Sequence, residues 1–118
     1  MVTADTRAYP LIIPGYTGFR PGIQIGTQLP ANASAEDMQF ARQLGIEWVM
    51  TAVPAADASV ENYRAFVRHF ADGGLKVYRL ANHAVHNMEA VTLNLPDRDA
   101  KVEEYLAYIR MLGAAGIH

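Results

Sequence analysis

The sequence has 118 residues, a formal net charge of -2 and no cysteine. This length predicts one domain, because domains usually hold roughly 100–200 residues. The missing cysteine excludes disulfide scaffolds, thiolate metal sites and cysteine nucleophiles. Ten Lys and Arg residues balance twelve Asp and Glu residues, and no basic cluster of the kind that binds phosphates is visible. We therefore expect no nucleic-acid partner.

The longest apolar run near the N-terminus covers residues 11–13 and is broken by Pro14 and Gly15. A signal peptide needs an apolar stretch of about 7–15 residues, and a transmembrane helix needs about 20. We therefore expect no membrane partner and a cytoplasmic location.

Residues 1–22 contain three prolines and three glycines and have no hydrophobic periodicity, which predicts an irregular N-terminal arm. The domain is expected over residues 23–118. It begins with a β-like run over 23–29 that Pro30 ends. Ser34 then predicts a helix N-cap, with Glu36 and Asp37 in the first turn.

The first helix is predicted to pack through the pairs Met38/Ala41 and Phe40/Leu44 and to end at Gly45. A continuous apolar run over 46–53 follows, which predicts a parallel strand covered on both faces. The cycle repeats with Ser59 as N-cap, a second helix and a strand over 75–81. A third helix is capped by Asp97, and its apolar stripe comprises Val102, Tyr105, Leu106, Ile109 and Leu112.

A glycine followed by an aliphatic residue recurs at the end of each helix, at Gly45-Ile46, Gly74-Leu75 and Gly116-Ile117. This weak repeat predicts an α/β fold in the order βαβαβα, followed by the start of a fourth strand. Such alternation produces a parallel sheet, either in a doubly wound open sheet or in part of a (β/α)₈ barrel. Because the sequence stops two residues into that strand, we expect a truncated domain.

Reactive groups in both architectures gather at the carboxyl ends of the strands. This rule selects Gln28, Thr51 and Asn82 as substrate-binding candidates, and His83 and His86 as catalytic candidates. The last three lie in a connection of about fifteen residues, a length that is uncommon unless the loop is functional or disordered.

Imidazoles transfer protons near neutral pH, so His83 and His86 are the strongest candidates for acid–base chemistry. The alternative is that both are loop histidines that bond to the backbone. Their spacing differs from the i,i+4 pair of helical zinc hydrolases, so no independent metal site is expected.

Three segments, at residues 25–28, 42–52 and 95–117, resemble the N-terminal part of proteins related to mannonate dehydratase. These proteins belong to the xylose-isomerase-like group of TIM barrels. The resemblance implies the first three βα units of a TIM (β/α)₈ barrel and loss of water from an aldonic acid to give a 2-keto-3-deoxy acid. It also implies Mn²⁺ or Mg²⁺, held by later strands and not by this chain, and it matches His86 to the family's histidine after the third strand.

Two alternatives stay open. One is a sugar or sugar-phosphate isomerase or epimerase of the same superfamily. The other is a non-catalytic α/β module that self-associates, because exposed strand edges invite pairing. In either case we expect a homo-oligomer, and in the enzyme cases a sugar or sugar acid as the ligand. The 118 residues alone are expected to be inactive.

Overall fold

The computed structural model describes residues 23–117, so the predicted arm over 1–22 and the final His118 lie outside it. Strands and helices alternate along the chain. They are β1 (Gly26–Gln28), α1 (Ala35–Gln43), β2 (Trp48–Ala52), a 3₁₀ turn (Ala55–Asp57), α2 (Val60–Asp72), β3 (Lys76–Ala81), α3 (Glu89–Thr92) and α4 (Arg98–Ala115). All three predicted strands are present but shorter at their ends. The short helix α3 lies in the long connection and was not predicted.

The three strands form one parallel sheet in the order β1-β2-β3. Gln28 aligns with Met50, and Met50 aligns with Arg79. The register shifts between Val49 and Met50, which leaves Tyr78 as an inserted residue in β3. The predicted α/β class with parallel βα units is therefore confirmed.

The long helices all pack on the same face of the sheet. One cluster of buried residues joins α1 and α2 to Val49, and a second joins α2 and α4 to Leu80, while Val77 contacts both clusters. On β2, Val49 and Thr51 are fully buried, whereas the alternate residues Trp48, Met50 and Ala52 are half-buried. The helix-facing side of this strand is therefore covered as predicted, whereas no described helix packs on its other, half-buried face.

The glycine repeat predicted from the sequence is a structural repeat. Gly45, Gly74 and Gly116 have φ angles of 76°, 79° and 83°, a left-handed conformation that costs glycine little. The aliphatic residue after each glycine donates its backbone N–H to the carbonyl five residues earlier, from Ile46 to Ala41, Leu75 to Phe70 and Ile117 to Leu112. This is the Schellman bond, and it occurs at the end of all three long helices.

Helix α4 packs through a face that only partly overlaps the predicted stripe, of which Leu112 contacts the core. Tyr108 and Ala115 are buried, whereas Val102, Tyr105 and Ile109 of the predicted stripe are exposed. The cause is the position of α2, which α4 contacts through Tyr108, Met111 and Leu112. Of the helices between residues 23 and 117, none combines the length and apolar content needed to cross a membrane.

Helix α1 also departs from its predicted packing. Met38 and Ala41 are buried as expected, but Phe40 and Leu44 are exposed. Ser34 and Asp37 form the predicted start of this helix as a reciprocal capping box. Hydrogen bonds from the Ser34 hydroxyl and backbone N–H lower the pKa of Asp37.

Candidate functional site

Asn82, the first residue after β3, organises the turn that carries the two histidines. Its side chain is buried, and its Oδ1 accepts a hydrogen bond from the N–H of Ala84 at 3.0 Å. Its carbonyl oxygen accepts from the N–H of Val85 at 3.2 Å and contacts Nδ1 of His86 at 3.1 Å. The end of the strand therefore sets the direction of the turn and the orientation of the His86 ring.

The contact with Asn82 also determines which nitrogen of His86 carries the proton. A carbonyl oxygen can only accept, so Nδ1 is the donor in this bond. In the neutral ring, Nε2 therefore carries the lone pair and accepts the hydrogen bond from Nδ1 of His83. His86 is thus held by the backbone and presents a base through its other nitrogen.

His83 lies beside that lone pair. Its Nδ1 is 3.4 Å from Nε2 of His86, and the two ring centroids are 4.7 Å apart with the planes tilted by 58°. Both histidines are exposed, so a solute can reach them. The structure therefore brings together the two predicted catalytic candidates and places Asn82 behind them as the residue that orients His86.

Two buried tyrosines support the end of β3. The hydroxyl of Tyr108 donates to the carbonyl oxygen of Leu80, two residues before Asn82. Burial raises the pKa of Tyr108 to about 12, and the neighbouring Tyr63 adds to the shift. Burial also raises the pKa of Tyr63, whose buried hydroxyl has no hydrogen-bond partner among the described residues. Neither tyrosine was identified as a candidate from the sequence.

The other two predicted binding residues lie apart from the histidines. Gln28 aligns through Met50 of β2 with Arg79 of β3. Asn82 comes three residues after Arg79, which places it about 10 Å further along the strand direction. Thr51 is fully buried on the helix-facing side of the sheet. Its side chain therefore points away from the opposite side, the uncovered face, on which Met50 and Arg79 lie. Substrate binding by either residue stays a prediction.

Arg79 is a candidate that sequence reasoning missed. It follows the bulge at Tyr78 and aligns with Met50 on the face opposite the helices, and it is exposed. Arg79 forms no hydrogen bond or ion pair with any residue in the range 23–117. An unpaired guanidinium matches the geometry of a carboxylate. The signal that could have found it is a charged residue within a strand otherwise rich in apolar residues.

A cavity of about 230 Å³ adjoins His86 on the side of α3 and α4. Besides His86, its polar residues are Thr92 and Tyr105, and the rest of its lining is apolar: Val85, Met88, Val91 and Val102. The hydroxyl of Thr92 is already bonded to the carbonyl oxygen of Met88. The cavity is smaller than the roughly 300–1,000 Å³ typical of small-molecule sites, and its lining does not match a polyhydroxylated acid.

The described residues do not fit a Mn²⁺ or Mg²⁺ site. Between residues 23 and 117, no three His, Asp or Glu side chains converge, and these ions take mainly oxygen ligands.

Comparisons with known protein families, with curated proteins and with solved structures find no match to this chain.

Proposed function

We propose that this chain forms three βα units of a (β/α)₈ barrel and carries the proton-transfer residue of a cytoplasmic sugar-acid dehydratase that resembles mannonate dehydratase. The observation that carries the chemical part is the orientation of His86 by the Asn82 carbonyl at the end of β3. Active sites of barrels lie at this end of the strands.

The winding of the sheet supports a barrel. Consecutive parallel strands lie side by side, and the long helices pack on one face, whereas a doubly wound sheet carries helices on both faces. Parallel sheets are normally buried on both faces, and closure into a barrel achieves this with one layer of helices. In a closed barrel, α1 and α4 would each pack against one further helix. The exposed apolar side chains of Phe40 on α1 and Ile109 on α4 are suited to such contacts.

The proposed reaction removes the proton beside the carboxylate and expels the neighbouring hydroxyl group as water. The C–H pair becomes the new C=C bond, the C–O bond breaks, and the resulting enol rearranges to the 2-keto acid. His86 accepts the proton at Nε2, and the exposed His83 can protonate the leaving hydroxyl. The proposed proton transfers use no Mn²⁺ or Mg²⁺, because the described residues do not fit those ions.

The test is an assay of the protein expressed from its whole open reading frame, supplied with mannonate and Mn²⁺. Formation of 2-keto-3-deoxygluconate supports the proposal, and His86→Asn should reduce turnover by about 10²–10⁴-fold, the usual contribution of acid–base catalysis. Asn87→Ala changes the next exposed residue and serves as the control. Epimerised or isomerised sugars without the keto-deoxy product would favour the isomerase or epimerase instead.

Self-association is a second candidate function, and the exposed apolar stripe Val102, Tyr105 and Ile109 on α4 favours it. This stripe is a surface that a second copy of the chain can bury. Sedimentation equilibrium of the 118-residue chain tests this function directly. A monomer at high concentration would argue against it.

A further inference from the structure

We propose that His83 and His86 form a bidentate binding site for a borderline divalent metal ion, with Zn²⁺ as the reference ion. The ligand atoms are Nδ1 of His83 and Nε2 of His86. The binding itself does not rest on the proposed dehydratase function, because it can be measured without a substrate.

The separation of these two atoms matches a chelate. Zinc binds imidazole nitrogen at about 2.0–2.1 Å with tetrahedral geometry, which places two ligand nitrogens on one ion about 3.4 Å apart. The observed distance between Nδ1 of His83 and Nε2 of His86 is 3.4 Å. The hydrogen bond that joins these two atoms in the metal-free protein is long, since good N–H donors lie about 2.7–3.2 Å from their acceptors.

The Asn82 carbonyl supplies the outer contact that metal-binding histidines usually have. A ligating imidazole normally donates its other N–H to a carbonyl or carboxylate, which fixes the tautomer and the ring orientation. His86 meets this condition at 3.1 Å through Nδ1. In the metal-free protein its Nε2 lone pair accepts the hydrogen bond from Nδ1 of His83, and a bound ion would take the place of that shared proton.

The expectation that His83 and His86 form no metal site compared their spacing with that of two histidines on a helix. The two residues lie in a turn, so that comparison does not apply. Residues 83–86 form a turn that the Asn82 side chain and carbonyl stabilise, with bonds to Ala84 and Val85. In this turn, two residues separated by three positions direct their ring nitrogens toward each other. The local backbone bonds, and not a helical period, bring the ligand atoms together.

The donor set selects the class of metal. Two imidazole nitrogens favour Zn²⁺, Cu²⁺ and Ni²⁺ over Mg²⁺ and Mn²⁺, and among the described residues no carboxylate joins the pair to make a three-ligand group. Since both rings are exposed, water would complete the coordination sphere. An ion on Nε2 of His86 would occupy the lone pair used in the proposed dehydration and inhibit it. This last consequence, unlike the binding, rests on the proposed function.

The experiment is calorimetric titration of the chain with Zn²⁺, repeated with Mg²⁺. We expect one Zn²⁺ at this pair and at least tenfold weaker binding of Mg²⁺. His83→Ala removes one ligand and leaves the bond from His86 to Asn82 intact, so it should weaken this binding by at least tenfold. Asn87→Ala is the matched control in the same turn and should leave it unchanged.

Long-range nitrogen NMR identifies the ligand atoms and keeps the test independent of folding defects in the variants. In the free protein, Nδ1 of His86 should be protonated, and on addition of Zn²⁺ its Nε2 should shift while Nδ1 keeps its proton. Nδ1 of His83 should shift in parallel. Unchanged histidine signals, Zn²⁺ affinity that survives His83→Ala, or equal affinity for Mg²⁺ would each overturn the proposal.

Discussion

The rings of Tyr63 and Tyr108 meet edge to face, with centroids 6.1 Å apart and planes at 84°. Tyr63 comes from α2 and Tyr108 from α4, and both are buried. The Tyr108 hydroxyl bonds to the carbonyl oxygen of Leu80 in β3. This contact therefore joins two helices to the strand that ends immediately before Asn82, and the position of the histidine turn depends on it.

Removing the Tyr108 hydroxyl should destabilise the fold. Tyr108→Phe keeps the ring contact with Tyr63 but leaves the Leu80 carbonyl without this donor, which costs about 1–3 kcal/mol for a buried group. Urea denaturation should show a lower midpoint with an unchanged slope. Tyr105→Phe is the control, because Tyr105 is exposed, and it should stay within about 0.5 kcal/mol of the wild type. Equal losses in both variants would contradict the assigned bond.

The same tyrosine should make stability depend on alkaline pH. Its pKa is raised from 10.0 to about 12 in the folded protein. Below pH 10 the residue is protonated in both states and has no effect, whereas above it the unfolded chain loses the proton first. The free energy of unfolding therefore falls as the pH rises from 10 to about 12.

The difference between wild type and Tyr108→Phe isolates this effect from the other groups that titrate at alkaline pH. The two proteins should converge in stability across the window from pH 10 to about 12. Tyrosinate absorbance should also show one late-titrating group in the wild type that the variant lacks. A constant difference in stability across this window would show that the pKa of Tyr108 is not raised.

Two glycine positions should respond to alanine in opposite directions. A Cβ at Gly73 would lie 2.3 Å from Sδ and 3.1 Å from Cβ of Met38, whereas a Cβ at Gly113 has no atom within 4 Å. Gly73→Ala forces the Met38 side chain to move and its Cβ to give by a few tenths of an ångström, and it should cost about 1–3 kcal/mol. Gly113→Ala should stabilise α4 by up to about 1 kcal/mol. Thermal unfolding of the two variants checks the pair, and a stable Gly73→Ala protein would contradict the close packing at Met38.

Most helix ends could be predicted from the sequence because their signals are local, although Asp97 begins α4 without the side-chain capping bond expected of it. Ser34, Ser59 and the three terminal glycines act on backbone groups within a few residues, so no knowledge of the tertiary structure is needed. The buried face of α4 could not be predicted. Tyr105 and Tyr108 both lie on helical apolar stripes, and only the position of α2 decides which one is buried.

The candidate site was predictable in part for the same reason. Its place after β3 follows from the strand–helix order, so His83 and His86 could be named in advance. The bulge at Tyr78 and the approach of the two imidazoles depend on strand register and on the Asn82 carbonyl. Neither leaves a pattern in the sequence. Arg79 was missed because its importance comes from the uncovered face on which it lies.

The exposed stripe on α4 should control self-association. Ile109→Glu places a charge beside Val102 and Tyr105, so an interface that buries this stripe would have to bury an unpaired carboxylate. We expect sedimentation equilibrium to show a shift toward monomer, with little change in stability because Ile109 is 45% exposed. Ala107→Glu adds the same charge at an exposed position away from the stripe and should leave the oligomer unchanged. If both variants associate like the wild type, the interface lies elsewhere, and the uncovered sheet face around Met50 and Arg79 becomes the surface to mutate.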